Sequence, residues 1–304
     1  MTLHPLAGVY AASITPIKGD QYAPDLELAS IYLRFLAKRN CHGALLLGTT
    51  GEGTSFSPAE RIALFKAAGA TRQEYPHFRL LAGTGTPSLQ ESIELNKAAF
   101  AADFEGVVVL PPFYFRNASE EGLFQWYDLL IRHSVPDGKY LIGYHIPGVS
   151  GVPLSLDLLA HLKDAHPIKF AGIKDSSHDL AHAEALGARF GNDLLVLTGT
   201  DSYLSHAMKN HAQGCITAPA NLISPELRLL WDTLIADQDG TVIQEKITII
   251  REILEKYMPF PSILKALAAR LHNFPKWDLR PPLLPTPSAL VDAAVAELTP
   301  LLKE

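Results

Sequence analysis

The feature that most constrains the fold is a set of eight short apolar runs that recur along the 304-residue chain. Each run is rich in Val, Ile, Leu or small residues and ends in Gly, Pro, Thr or Asp, which is typical of buried parallel strands. The runs start at Gly8, Gly43, Arg79, Gly106, Tyr140, Phe170, Leu194 and Gly214. Neighbouring starts lie about 30 residues apart, the size of one strand and helix unit, so the runs predict eight such units.

Between the runs the apolar residues change to a helical period, as in residues 28–36. Ser57 and Ser88 are each followed by Glu at the third position, a combination that favours a helix N-terminus. The Ser-Pro pair that starts at Ser224 predicts a further helix after the eighth strand. Strands that alternate with helices predict an α/β fold, and eight of them predict a TIM (β/α)₈ barrel, with an open doubly wound sheet as the alternative.

The segment after the eighth strand contains more helix than a barrel needs. Helical apolar spacing continues through residues 241–257, 261–271 and 288–302. We therefore predict a barrel over residues 1–224 and a C-terminal helical extension over residues 225–304, packed on the barrel or on another subunit. No low-complexity linker separates the two parts, so we expect them to move as one body.

Composition and charge narrow the function classes. The formal net charge is −6 and no basic stripe is present, which argues against nucleic acid as the main partner. The two cysteines, Cys41 and Cys215, form no CxxC pair, so neither a disulfide framework nor a cysteine metal site is expected. The chain also lacks a signal-peptide pattern and an apolar run long enough to span a membrane. We expect a soluble, cytoplasmic protein whose ligand is a small molecule.

Lys174 is the residue whose position is most unusual, because it lies within or just past the otherwise apolar sixth run, FAGIKDSS. Catalytic groups of a barrel lie at the carboxyl ends of its strands. Burial of a charged amine is costly and favours loss of its proton. The neutral amine can form a Schiff base with a ketone, and the iminium is an electron sink for the neighbouring carbon–carbon bond. The alternative, which is commoner for a lone lysine, is a side chain that extends to solvent and pairs with Asp175.

Tyr144 ends the fifth run, so we expect it beside Lys174 in the closed sheet. A phenol there could accept and return protons, a step typically worth about 10²–10⁴ in rate. The alternative is a core tyrosine whose hydroxyl has one backbone partner. The adjacent His145 is expected on the opposite face of the strand, in a structural role.

Residues 48–53, GTTGEG, are typical of a turn that binds a carboxylate. Thr49 and Thr50 supply hydroxyls, and the backbone N–H groups can converge on an anion. The segment matches neither a Walker A sequence nor GxGxxG. Residues 83–86 lack the third glycine of a dinucleotide turn, so no nucleotide cofactor is predicted.

His178 and His182 are four residues apart, which on a helix is a spacing that can bind a metal. The glutamate of an HExxH motif is absent. A solvated helix face is therefore favoured, and no metal is predicted.

Three ordered motifs resemble a known family: GTTGE at residues 48–52, Tyr-x-x-Pro at residues 144–147 and GIKDSS at residues 172–177. Together they are similar to the dihydrodipicolinate synthase and N-acetylneuraminate lyase superfamily of class I, pyruvate-handling aldolases. The similarity continues through GTD after the seventh strand, GCITAPAN at the eighth and RPPL at residues 280–283. The resemblance implies a TIM barrel with a helical C-terminal part, assembled as a homotetramer that is a dimer of dimers.

The resemblance also implies roles for individual residues. Lys174 forms the Schiff base with pyruvate or a 2-oxo acid, and Tyr144 transfers protons to and from the intermediate. Thr49 and Thr50 hold the carboxylate, with the Thr50 hydroxyl also in the proton relay. The pocket beside the pyruvate unit is lined by Gly199 and Ile216. No cofactor and no metal are implied, because the lysine supplies the electron sink.

Two positions depart from the pattern of dihydrodipicolinate synthases. Those enzymes carry an arginine two residues after the Pro of Tyr-x-x-Pro, which receives the distal carboxylate of the second substrate. Here Val149 stands at that position, and a valine cannot make the bidentate contact. In the loop PPFYFR, Phe115 falls where biosynthetic members place a relay tyrosine that reaches across an interface. Tyr114 takes that place if the loop shifts by one residue, and Arg116 is a candidate contact for a polar substrate tail.

We therefore expect a carbon–carbon lyase. The reaction is cleavage of a 2-oxo acid, such as a 2-keto-3-deoxy sugar acid or a related hydroxy-2-oxo acid, into pyruvate and an aldehyde, or the reverse. The alternatives are a 4-hydroxy-tetrahydrodipicolinate synthase, a sugar-acid dehydratase of the same superfamily, and a non-catalytic barrel that binds a 2-oxo acid.

Overall fold

Eight parallel strands close into a barrel in the computed structural model, which describes residues 3–19 and 22–302. The strands in chain order are β1 (Gly8–Ala12), β2 (Ile17–Lys18), β3 (Ala23–Pro24), β4 (Gly43–Leu46), β5 (Arg79–Gly83), β6 (Gly106–Val109), β7 (Tyr140–His145), β8 (Phe170–Asp175), β9 (Leu195–Thr198) and β10 (Gly214–Thr217). β2 and β3 form a separate antiparallel pair, and the other eight follow the order β1-β10-β9-β8-β7-β6-β5-β4 and close on β1. The predicted TIM barrel is confirmed, and the open sheet is wrong.

Helices follow the barrel strands in the predicted alternation. They are α1 (Leu26–Lys38), α2 (Pro58–Gly69), α3 (Thr71–Glu74), α4 (Leu89–Ala101), α5 (Glu120–Ser134), α6 (Pro147–Ser150), α7 (Leu156–Ala165), α8 (Leu180–Phe190), α9 (Leu204–Lys209), α10 (Ala220–Ile235), α11 (Thr241–Glu255), α12 (Phe260–His272) and α13 (Ser288–Leu302). Short 3₁₀ turns lie at Gly53–Ser55 and Asp201–Tyr203. Within the described ranges, none of these helices is both long and apolar enough to cross a membrane.

The strands bury both faces, which explains why their apolar runs are continuous rather than alternating. In β1, Tyr10 and Ala12 belong to a cluster inside the barrel, whereas Val9 and Ala11 belong to the cluster between the barrel and the helices. Tyr144 of β7 lies in the inner cluster. Its side chain is therefore placed where the barrel interior opens at the carboxyl ends of the strands.

The three predicted helix starts are confirmed. Ser57 forms a reciprocal capping box with Glu60, and Ser88 accepts a hydrogen bond from a backbone N–H at the start of α4. The start predicted at Ser224 is also confirmed, because the Ser224-Pro225 pair directly follows a non-helical kink at Ile223 and begins the second of the two helices that α10 joins. α10 itself begins at Ala220. Its first turn is held by Asn221, whose side-chain amide donates to the carbonyls of Ala12 and Ala218 at 2.8 and 2.7 Å.

Helices α11, α12 and α13 form the C-terminal helical extension and pack on one another. Two buried ion pairs join this region to loops at the carboxyl ends of barrel strands. Arg251 of α11 contacts Asp201 at 2.6 Å, and Lys265 of α12 contacts Glu52 at 2.5 Å. Because α10 runs through residues 224 and 225, the division there stays a prediction.

Candidate active site

Lys174 lies near the end of β8 and is 3% exposed. Strand β8 pairs with β7 in a register that sets Lys174 beside Tyr144, as the strand order predicted. The Lys174 Nζ lies 4.1 Å from the centre of the Tyr144 ring. The amine is therefore enclosed against an aromatic face, at the end of the barrel where catalytic groups are expected.

The Tyr144 hydroxyl lies 3.3 Å from the hydroxyl of Thr49. Burial raises the pKa of Tyr144, but the positive charge of Lys174 and the hydrogen bond with Thr49 outweigh it, so the pKa lies below its ordinary value. A lower pKa increases the fraction of phenolate near neutral pH, and the phenolate is the form that accepts a proton.

The turn after β4 positions the two threonines. Gly53 closes this turn against Leu47, whose carbonyl oxygen lies 1.9 Å from where a Cβ on Gly53 would be, so no side chain fits. Thr49 is exposed and Thr50 is buried. The hydroxyl that reaches Tyr144 belongs to Thr49, whereas the resemblance gave the relay to Thr50.

Glu52 ends the GTTGE motif and is held by residues far away in the sequence. Its backbone adopts the left-handed conformation at a φ of 56°, and its side chain pairs with Lys265 of α12. Lys265 also donates to the carbonyl of Asp278 at 2.8 Å. Sequence reasoning missed this pair; the signal was a lysine on the apolar face of PSILKALAARL.

A cavity of about 100 Å³ opens beside Tyr144 and Thr49. Its walls are partly apolar, and it is lined by Leu45, Leu47, Gly48, Thr49, Gly53, Thr54, Arg61, Gly83, Gly85, Val108, Leu110, Tyr144 and Val149. The structure thus brings Val149 to the site that contains Tyr144. Arg61 of α2 also lines the cavity, and sequence reasoning missed it because its α2 position carries no motif.

Gly199 directly follows β9, and Ile216 lies on β10. The backbone N–H of Gly199 donates to the Asp175 carbonyl at 2.6 Å, and a Cβ on Gly199 would overlap the Ser176 side chain. Ile216 of β10 is fully buried in the inner cluster. Neither residue lines the cavity beside Tyr144, so their predicted contact with the pyruvate unit stays a prediction.

Comparison with known proteins identifies the family. Residues 5–299 match the model of the Dihydrodipicolinate synthetase family. The chain belongs to this family. It is 34% identical over 278 residues to an uncharacterised DapA-like lyase of Chloroflexus aurantiacus, with 91% of each chain covered. It is 31% identical over 227 residues to the 4-hydroxy-tetrahydrodipicolinate synthase of Sorangium cellulosum, covering 74% of this chain and 73% of that one.

Solved structures of the family share the fold. Dihydrodipicolinate synthase from Cyanidioschyzon merolae, with lysine bound, superposes with a TM-score of 0.90 at 21% identity over 98% of this chain and 99% of that one. A prophage protein of the same family from E. coli K12, in complex with pyruvate, gives 0.88 at 22% identity over 97% and 99%. The predicted family is confirmed, and it places the chain among lyases of the class I aldolase type.

The two departures from the biosynthetic pattern both lie at the surface of this chain. Val149 is 61% exposed at the cavity, and Tyr114 and Phe115 are 76% and 71% exposed. The two rings contact each other edge to face at 5.3 Å, and neither lines the cavity. Arg116 is exposed, and its side chain lies close to Gly151.

The histidine pair is arranged differently from the prediction. His178 lies before α8 at a φ of 60°, not on the helix, because Asp179 caps that helix. His182 instead stacks on His145 at 4.6 Å, which confirms that His145 faces away from the barrel interior. His145, Asp175 and His182 place possible ligand atoms within 4.8 Å of one another.

This cluster could hold a metal only if His145 changed its hydrogen bonding. Its Nδ1 accepts from the Leu154 backbone N–H at 3.0 Å, so the proton of the neutral ring lies on Nε2, which leaves no free lone pair there. Burial lowers the pKa of His145 to about 4, with the charge of Asp175 opposing and that of His182 adding to the shift. The ring is therefore neutral and acts as a packed, hydrogen-bonded group.

Proposed function

We propose that this protein is a Schiff-base-forming class I aldolase that cleaves a hydroxylated 2-oxo acid, such as a 2-keto-3-deoxy sugar acid, into pyruvate and an aldehyde, or catalyses the reverse. The observation that carries the proposal is the buried Lys174 amine, 4.1 Å from the Tyr144 ring centre, beside a phenol bonded to Thr49. A core lysine with a purely structural role would not require a neighbouring phenol that is bonded to a threonine hydroxyl.

In the cleavage direction, the neutral Lys174 amine adds to the C2 carbonyl, and the Tyr144 phenol gives its proton to the carbinolamine hydroxyl, which leaves as water to form an iminium. Tyr144, as phenolate, takes the proton of the C4 hydroxyl. The C3–C4 bond then breaks, its electron pair enters the iminium to form an enamine, and the aldehyde leaves. The phenol returns the proton to C3, and water hydrolyses the new iminium to release pyruvate.

The remaining residues have supporting roles in this proposal. Thr49 and Thr50 hold the substrate carboxylate through the turn, and we assign the relay hydroxyl to Thr49, which the contact with Tyr144 supports. The pyruvate unit is bordered by Gly199 and Ile216. No cofactor or metal is required for these steps, because the iminium accepts the electron pair.

Val149 argues against the 4-hydroxy-tetrahydrodipicolinate synthase alternative, since it stands at the position after β7 where those enzymes carry the arginine for the distal carboxylate and cannot make that bidentate contact. The exposed rings of Tyr114 and Phe115 support assembly as a homotetramer, in which another copy covers them and one of them reaches the neighbouring site. A cytoplasmic location is part of the same proposal.

The test is to incubate the protein with a panel of 2-keto-3-deoxy sugar acids and to measure released pyruvate. The aldolase releases pyruvate from at least one acid, and Lys174→Ala does not. A dehydrated product without pyruvate would favour the dehydratase. Full turnover by Lys174→Ala would contradict the Schiff base, and binding without any product would favour the non-catalytic barrel.

A further inference from the structure

Arg61 is a buried cation whose role the fold alone does not explain. It lies on α2 and is 3% exposed. Its Nη2 donates to the carbonyl of Gly83 at 2.7 Å. Its Nε is buried and has no hydrogen-bond partner in the part of the chain that the structure describes. The guanidinium therefore keeps unused donor capacity.

No carboxylate of residues 3–19 and 22–302 lies within 4.0 Å of this guanidinium. Burial lowers the pKa of Arg61 to about 10, and the negative charge of Glu91 opposes this shift. The side chain thus stays protonated at neutral pH. A buried charge without a counter-ion is costly, and an anionic ligand would relieve that cost.

Arg61 lines the same cavity as Tyr144, Thr49 and Val149. A cavity needs only about 10–15 Å³ to hold one water molecule, so about 100 Å³ has room for a short chain that ends in a carboxylate. In this cavity a molecule in contact with Tyr144 also reaches the Arg61 guanidinium, which has no carboxylate partner within the described ranges.

We propose that Arg61 binds a distal carboxylate of the substrate, so that the aldehyde half of the substrate carries its own acid group. This inference rests on the proposed aldolase function and narrows its substrate class to diacids. Arg61 thereby supplies, from α2, the cation that Val149 does not provide after β7. Hydrogen bonds between a guanidinium and a carboxylate are charge-assisted and roughly twice as strong as those between neutral groups, which gives the selectivity for an acid.

The experiment compares two acceptors in the condensation with pyruvate: succinic semialdehyde, and butanal, which has the same chain length and no carboxylate. The variants are Arg61→Met, Arg61→Lys and the control Arg39→Met. Arg39 also bonds a backbone carbonyl, that of Leu222 at 2.6 Å, and also has an unpartnered Nε among the described residues. It lines a different cavity, so Arg39→Met measures the effect of losing such an anchor alone.

We expect Arg61→Met to lower kcat/KM for succinic semialdehyde about 10- to 100-fold, the size expected for one charged hydrogen bond, and to leave butanal within about twofold. For succinic semialdehyde, the kcat/KM of Arg61→Lys should lie between those of Arg61→Met and the wild type. Arg39→Met should leave kcat/KM unchanged for both aldehydes. An equal loss with both aldehydes would mean that Arg61 only supports the fold and would overturn the proposal. A wild type that does not prefer succinic semialdehyde to butanal would also overturn the proposal.

A binding measurement separates this inference from the proposed function. Succinate alone, titrated by calorimetry without any 2-oxo acid, should bind the wild type and Arg39→Met, and bind Arg61→Met at least tenfold more weakly. Binding of that kind in a protein that shows no condensation would keep the anion site and reject the aldolase. Condensation with unchanged succinate binding in Arg61→Met would keep the aldolase and reject the anion site.

Discussion

The buried pair Lys265–Glu52 makes a prediction about both stability and catalysis. The two side chains are 1% and 0% exposed and lie 2.5 Å apart, across the contact between α12 and the GTTGE turn. Removal of Lys265 leaves the Glu52 carboxylate buried without its counter-ion. Breaking a buried pair in this way costs about 3–5 kcal/mol. We therefore expect Lys265→Met to lower the free energy of unfolding by that amount.

Glu52→Gln and the double variant should behave differently. Glu52→Gln leaves Lys265 with the Asp278 carbonyl and a neutral acceptor, so we expect a smaller loss of about 1–3 kcal/mol. In the double variant no uncompensated charge is left. Its loss should fall short of the sum of the single losses by about 2 kcal/mol, within the range measured for residues in contact.

The assay is urea-induced unfolding at one protein concentration, because the proposed assembly would make stability depend on concentration. Activity is measured in parallel. The pair holds the turn that carries Thr49, and a displacement of about 1 Å at a reacting group can cost about 10²-fold in rate, so kcat should fall in Lys265→Met even where the protein is folded. Additive losses in the double variant, or a Lys265→Met protein within about 0.5 kcal/mol of the wild type, would refute the reasoning.

Two further predictions concern the relay and the acid side of the pH range. Thr49→Val should lower kcat about 10- to 100-fold, because it removes the hydroxyl bonded to Tyr144, while Thr50→Val should mainly raise KM. Steady-state kinetics of the two variants distinguish these effects. The reverse pattern would assign the relay hydroxyl to Thr50. The hydrogen bond from Arg280 lowers the pKa of Glu60 from 4.5 to about 2, so its contribution is present above pH 4.5 and is lost as the pH falls towards 2. Urea unfolding of Glu60→Gln should lose about 1–2 kcal/mol at pH 7 and show a flatter decline in that window, and an unchanged slope would contradict the assignment.

The fold could be predicted largely from the sequence because a closed parallel barrel buries each strand on both faces. That burial makes the strands visible as continuous apolar runs, and all eight runs contain a strand. The place of Lys174 beside Tyr144 follows from the strand order alone, since successive strands of the barrel are neighbours. The position of a catalytic pair on strands is thus accessible to sequence reasoning.

Features that depend on distant contacts were not accessible in this way. Glu52 and Lys265 are 213 residues apart, and no local pattern links them. Arg61 resembles any arginine of an amphipathic helix until the cavity is seen. His178 was placed on a helix by spacing, but the Asp179 cap starts that helix after it. In each case a tertiary contact or a helix cap determines where the side chain lies, and the spacing of residues in the sequence does not indicate it.

The central claim is that Lys174 forms a Schiff base with a 2-oxo acid. The most direct test is intact-mass analysis after incubation with pyruvate and borohydride, on the wild type, Lys174→Ala and the control Lys163→Ala. Lys163 is a suitable control because burial lowers the pKa of its amine, with the charge of Asp193 opposing. We predict one reduced pyruvate adduct on the wild type and on Lys163→Ala, and none on Lys174→Ala. An adduct that persists in Lys174→Ala, or no adduct on any of the three proteins, would contradict the claim.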